Sequence, residues 1–334
     1  MTGTNAAINA GSIGAWKTNF MQLVQSGPAA IPALQAFLAQ NVDFPFSKEA
    51  WQALGYSSAR IAAMDALRQI GGPEATALME TMLGSSTSPR EIAVLARNLE
   101  EGSPGQYREQ ALAAARAALG NLANSPNPQT DVAPLFEIFQ HYGDASVIPD
   151  LESAMGKWKY YATMALANLP EGAGIPTILR LADADSGSGN RVVALEMVAQ
   201  LATGNTTVRD FLTAQIQGNL IPPNLWPYLA APLCGDQYFP VDSAITPYPT
   251  LQSWSDLRTT HLSYGNQNLY TLPGNQNLTA EAISQRVALI DELLQLTTEP
   301  AALRTLQAAR NTLSQRSTRT ANQPVADNAT TAGS

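Results

Sequence analysis

The chain has one cysteine, Cys234, in 334 residues. Without a second thiol no internal disulfide can form, so packing and hydrogen bonds must hold the fold. Histidine is almost as scarce. His141 and His261 stand in unrelated segments, with no second His or Cys at ligand spacing. Zinc and iron sites need such clusters, so the residues supply no metal centre and imply no cofactor. Lysine makes up only four of the nineteen basic residues, and the net charge is −8 with a pI near 4.8. Nucleic-acid binding calls for a basic stripe that displaces counterions, and no such stripe is present, so nucleic acid is not an expected partner. No run approaches the roughly 20 apolar residues of a membrane-spanning helix. Met1 to Ala15 lacks the basic start and apolar run of an export signal. The shortage of lysine, with many Asn, Gln, Thr and Ser, nevertheless has the style of an exported bacterial protein. That points to export if the chain is a fragment lacking its signal, and otherwise to the cytoplasm.

What is present is repetition. The hydrophobic share of 45% and mean hydropathy of −0.09 suit a chain that buries a core. A turn-plus-helix phrase recurs as Gly27-Pro28-Ala29-Ala30-Ile31-Pro32, Gly72-Pro73-Glu74-Ala75, Gly143-Asp144-Ala145-Ser146-Val147-Ile148-Pro149 and Gly172-Ala173-Gly174-Ile175-Pro176. A glycine in the left-handed region closes one helix, and proline is tolerated in the first turn of the next. Each phrase therefore predicts a helical hairpin. Apolar residues at spacings of three and four support it: Ile13, Trp16, Phe20 and Leu23; Ile31, Leu34 and Leu38; Ile61, Met64 and Leu67; Ile92, Leu95 and Leu99; Val132, Leu135, Phe136 and Phe139; Val192, Leu195, Val198 and Leu201. Ser88-Pro89-Arg90-Glu91 and Ser103-Pro104-Gly105-Gln106 read as capped helix starts.

The segment Arg60-Ile61-Ala62-Ala63-Met64-Asp65-Ala66-Leu67-Arg68-Gln69-Ile70-Gly71-Gly72-Pro73-Glu74-Ala75 resembles a bacterial HEAT repeat, and Tyr161 to Leu179 is a looser copy. The resemblance covers roughly residues 12 to 217. It implies an all-α fold: an α-α superhelix, or solenoid, of helical hairpins. Among enzymes built on similar repeats, deoxyhypusine hydroxylases need His-Glu pairs, yet these histidines precede Tyr142 and Leu262. DNA glycosylases of this style need a basic groove, and nothing in the residues specifies the tetrapyrrole of a phycobilin lyase.

The pattern breaks after Gly218. Between Ile221 and Pro273 lie eight of the 22 prolines and eight of the 23 aromatic residues. This density excludes a long helix and predicts an irregular loop or short-strand excursion. Gly265-Asn266-Gln267-Asn268-Leu269 returns as Gly274-Asn275-Gln276-Asn277-Leu278, which suggests two equivalent turns. Helices resume with Ile283, Val287, Ile290 and Leu294, and a last one is expected from about Pro300 to Gln315. The expected organisation is a flexible N-terminus over 1–11, a repeat array over 12–217, the irregular segment over 218–278, a helical hairpin over 279–316 and a disordered tail over 317–334.

Candidate chemistry is thin. Cys234 with His261 makes a nucleophile and base only if the excursion folds back, and a buried structural cysteine is the simpler reading. Asp183 to Asn190 lacks the bidentate glutamate of a calcium loop and reads as an inter-helix turn, with Ser188 near the next helix start. Trp158, Tyr160 and Tyr161 read in part as core, with Lys157 and Lys159 snorkelling outward. Large aromatic surfaces beside Asn/Gln turns suit a protein loop, a peptide or a glycan, which makes Trp226, Tyr228, Trp254, Tyr264, Asn266, Asn268, Tyr270 and Asn275 the candidate partner contacts. They could instead cover the open end of the array. The sequence thus points first to a non-catalytic protein-interaction scaffold. A lyase-type enzyme or enzyme accessory, and a glycan-binding module, are the alternatives.

Overall fold

A computed structural model describes residues 10–124, 130–183, 189–240, 260–264, 267–272 and 278–321. The fold is all-α, as expected. In chain order the helices are α1 (Ala10–Gln25), α2 (Ile31–Ala39), α3 (Lys48–Leu54), α4 (Ala59–Ile70), α5 (Gly72–Ser85), α6 (Pro89–Gly102), α7 (Arg108–Ala123), α8 (Ala133–Tyr142), α9 (Ile148–Ala167), α10 (Ile175–Asp183), α11 (Gly189–Leu201), α12 (Thr206–Gln217), α13 (Trp226–Leu233), α14 (Ala280–Gln295) and α15 (Pro300–Ala321). Short strands β1 (Gln237–Pro240), β2 (Thr260–Tyr264) and β3 (Gln267–Leu272) pair with β3 in the centre. Among the described residues, no helix is long and apolar enough to cross a membrane. The chain forms two compact units, one built on Met1–Ala173 and the other on Gly174–Phe239 and Leu269–Ser334.

In the first unit, helices pack on the next helix and on the one after it. α4 packs on α6 and α6 on α8, while α5 packs on α7 and α7 on α9; α1 and α2 lie against α4. The reason is legible in α6, where Ile92, Ala93, Val94, Leu95, Ala96 and Leu99 are all buried. Apolar residues spread beyond one stripe require neighbours on several sides. By contrast none of the described side chains of α1 is fully buried: Trp16 and Phe20 stack on one another at 5.0 Å and remain half-buried.

The hairpin phrases work by two mechanisms. Gly27, Gly72 and Gly172 adopt φ of +59°, +81° and +70°, the left-handed region that favours glycine. Gly143 departs from the expectation, because its φ is −80° and its ψ 164°. Space is what demands glycine there, since a Cβ would collide with the Phe139 carbonyl oxygen and the Val147 methyls. The cap at Ser88 is real, its hydroxyl accepting from the Glu91 N–H at 3.5 Å. The expected start at Ser103 is not. Ser103 ends α6, Gly105 turns with φ +81° and donates to Glu100 Oε2 at 2.8 Å, and α7 begins at Arg108. Helix α9 is broken at Trp158 (φ −129°, ψ 47°). Trp158, Tyr160 and Tyr161 are all buried, and Lys157 Nζ reaches out to cap α7 through the Leu122 and Ala123 carbonyls.

In the second unit α11 packs on α10, α12 and α13, and α15 packs on α13 and α14. The irregular segment starts later than its prolines suggest. Pro227 occupies the first turn of α13, where its missing N–H costs nothing, and Pro232 lies close to its end. Helix α15 runs to Ala321, past the expected stop at Gln315. The Ser188 cap and most of the Asp183–Asn190 turn lie outside the described residues, as does the tail from Asn322.

Buried arginines recur as caps of helix exits in both units. Arg60 Nη1 donates to Leu38 O at the end of α2 (2.7 Å), Arg191 Nε to Ala182 O near the end of α10 (3.1 Å), and Arg286 Nη1 to Pro232 O near the end of α13 (3.2 Å). Each guanidinium donates to a carbonyl in the last turn of a helix, where the i+4 donors run out; Leu38 O and Pro232 O accept in addition from the Asn41 and Gly235 N–H groups.

Candidate functional site

Helix α4 contributes to three grooves of the first unit, one from each of three faces. Its small face, Ala59, Ala62 and Ala63, floors an apolar groove of about 400 Å³ whose walls are Trp16, Phe20 and Leu23 of α1 and Leu34 and Phe37 of α2. Alanines at this spacing leave room that longer side chains would fill. The groove lies where the apolar stripe of α1, at Trp16, Phe20 and Leu23, is only half covered.

The second face, Ile61, Asp65 and Arg68, lies at the i, i+4, i+7 spacing that aligns side chains on a helix. It meets a matching stripe of α6, Arg90, Val94, Arg97 and Glu101, and with Trp51 and Tyr56 these line a polar groove of about 380 Å³. A network orders one wall. Asp65 accepts from Tyr56 Oη at 2.5 Å, Arg68 Nε at 2.8 Å and Gln69 Nε2 at 2.7 Å, while Arg68 Nη1 reaches Glu101 Oε2 at 3.1 Å. Burial is the largest single influence on Asp65 and pushes its pKa up. The donors from Arg68, Tyr56 and Gln69 together outweigh it and hold the carboxyl below the ordinary carboxylate range. The same burial and the Asp65 charge push the Tyr56 hydroxyl above its usual value, so Tyr56 stays a neutral donor.

The third face carries Arg60 into a groove of about 490 Å³ between the end of α2 and the start of α6. There Arg60 clasps Glu91 with two hydrogen bonds, Nε to Oε1 at 2.6 Å and Nη2 to Oε2 at 3.2 Å, and Ser86 Oγ donates to Oε2 at 3.0 Å. This pair ties helices together and presents no reactive group.

The partner contacts expected from the sequence separate on inspection. Trp226 is a core residue, 2% exposed, whereas Tyr228 on the same helix is 48% exposed. The two residues are a poor match for a shared surface because positions two apart point away from each other on a helix. Trp254, Asn266 and Asn275 lie outside the described residues, and for Tyr264, Asn268 and Tyr270 only the strand backbone is described. Cys234 is buried, with its thiol 3.5 Å from Ala309 O, and burial pushes its pKa up to about 11. It fits the structural reading. His141 is lowered by burial. Among the described residues there is no group of three or more His, Cys, Asp or Glu placed to hold a metal ion.

The polar groove was not singled out from sequence. Its two stripes are visible as spacings, but α4 and α6 are separated by α5, and only packing reveals that Asp65 and Arg68 face Arg97 and Glu101. Compared with family models, curated proteins and solved structures, the chain matches none of them.

Proposed function

We propose that this protein is a non-catalytic interaction scaffold of HEAT-like helical hairpins that holds a protein partner on grooves between stacked helices. The observation that carries the reading is the apolar groove between α1, α2 and α4, where Trp16, Phe20, Leu23, Leu34 and Phe37 surround an alanine floor. Concave apolar sites with aromatic walls are where partner anchors insert, and desolvation of such anchors dominates binding energy. The groove is set by helix packing rather than by loops, so little ordering entropy is lost when it is filled. Exposed Phe44 and Met21, 52% and 54% accessible, extend the apolar surface of this unit.

Ala33 lines the groove and is exposed, so Ala33→Glu places a charge in it without disturbing the core. In affinity capture from the native lysate, the wild-type chain is expected to retain a stoichiometric protein that Ala33→Glu loses at unchanged helicity. Equal retention by both chains, or none by the wild type, counts against the reading.

A further inference from the structure

We infer that the groove between α2, α5 and the start of α6 is a binding site for a neutral sugar ring carrying adjacent hydroxyls. The inference goes beyond the scaffold reading and concerns a different groove from the one that carries it.

Two helix faces build the site. Leu78, Thr81, Met82 and Ser85 follow one another at i, i+3, i+4 and i+7 along α5, and Gln35, Leu38 and Ala39 lie at i, i+3 and i+4 on α2. Arg60 of α4 and Glu91 of α6, both largely buried, close the base. The resulting volume of about 490 Å³ falls in the range of about 300–1,000 Å³ that small-molecule sites occupy.

Charge narrows the ligand. Arg60 and Glu91 are the only charged residues among the described lining, and they neutralise each other. An anion would approach Glu91 and find a guanidinium already bonded to that carboxylate and to Leu38 O, whereas a cation would approach Arg60. A neutral ligand meets neither penalty.

Hydrogen-bonding capacity then selects hydroxyls. Five of the lining residues are serine or threonine, and Gln35 and Asn41 bring primary amides. The side chains of Gln35, Asn41 and Thr87 engage no hydrogen-bond partner among the described residues. Arg60 uses three N–H groups on Glu91 and Leu38 O and keeps others, and Glu91, which accepts from Arg60 and Ser86, has lone-pair capacity left. The groove thus sets donors beside acceptors without net charge. A hydroxyl donates and accepts from one atom, so neighbouring ring hydroxyls match such a lining, while a backbone amide donates and accepts from different atoms. Leu78 and Met82, half-buried on the α5 face, supply apolar surface for the C–H face of the ring.

The test uses the full chain with the side-chain amide signals of Gln35 and Asn41 followed by NMR and assigned by their loss in Gln35→Ala and Asn41→Gly. Glycine is chosen because Asn41 has φ +51°, which glycine adopts without strain. The probes are methyl α-glucopyranoside, methyl α-mannopyranoside and methyl α-galactopyranoside, with cyclohexanol, methyl glucuronide and acetyl-Ser-Gly-amide as comparisons. At least one glycoside is expected to shift both amides saturably, about tenfold or more tightly than any comparison compound. Gln35→Ala, read at Asn41, and Asn41→Gly, read at Gln35, should each weaken that binding about threefold to tenfold, the loss of one hydrogen bond. Ala39→Trp, at an exposed position of the wall, should abolish it at unchanged circular dichroism. No saturable shift with any of the three glycosides overturns the inference. So does binding of cyclohexanol, the glucuronide or the peptide as tight as the best glycoside, or glycoside binding undiminished in both amide variants.

Discussion

Arg60 and Glu91 stand 31 residues apart in sequence and meet through two hydrogen bonds, with side chains only 5% and 12% exposed. Arg60 also caps α2 through Leu38 O, so one guanidinium links the end of one helix to the starts of two others. Both partners come from the first turn of a serine-capped helix. Arg60 follows the Ser58 cap of α4, and Glu91 follows the Ser88 cap of α6.

Removing one partner leaves the other charged and largely buried, an effect that costs about 3–5 kcal/mol. Arg60→Met should therefore lower the urea midpoint markedly, and Arg60→Met combined with Glu91→Leu should recover part of the loss. A double variant as unstable as the sum of the singles would show that the two side chains act independently.

Asp65 makes a pH-dependent contribution of known sign. Its native pKa lies below the ordinary value, so its stabilisation is fully present above the unfolded carboxylate range and is lost as pH falls through the depressed native value. Asp65→Asn is expected to be less stable than wild type at pH 7, and the gap is expected to close as pH falls from the ordinary carboxylate range through the depressed native value. Urea midpoints across that range check this, and a constant gap would assign the difference to packing instead.

Glycine positions should respond according to what each one lacks. Gly143→Ala forces a Cβ into the Phe139 carbonyl and Val147, and overpacking of that kind costs about 1–3 kcal/mol. Gly14, within α1 and with nothing within 4 Å of an added Cβ, should behave oppositely, with Gly14→Ala stabilising by about 0.5–1 kcal/mol. Thermal melts of the two variants in opposite directions are the expected outcome.

Trp226 and Tyr228 separate core from surface within one helix. Trp226→Ala should destabilise the chain by about 3–5 kcal/mol, because the indole is 2% exposed. Tyr228→Ala should change stability by no more than about 0.5 kcal/mol. If Tyr228→Ala proved as damaging as Trp226→Ala in denaturant titrations, the exposed placement of Tyr228 would be wrong.

Much of the helical pattern was legible because its causes are local. The stripes at Ile61, Met64 and Leu67 and at Ile92, Leu95 and Leu99 repeat every turn, and the Gly-Pro phrases carry the backbone conformations that end one helix and begin another. Where a boundary was misplaced, local chemistry had two uses. Ser103-Pro104-Gly105 resembles a helix start, but the Gly105 N–H is taken by Glu100, and the residues turn. Pro227 and Pro232 read as helix breakers, yet the first turn and the closing end of α13 are positions where a missing donor is tolerated.

By itself, then, the sequence determined that this chain is helical, that one helix gives way to the next at the Gly/Pro phrases and that no internal disulfide can form, because periodicity, capping and cysteine count act within a few residues. Only the tertiary structure decided which faces of α4 became grooves, that Arg60 would find Glu91, and that Trp226 would be buried while Tyr228 stayed in solvent. Those outcomes depend on how helices distant in sequence pack against one another, and the energy of each pairing exists only once both surfaces are present.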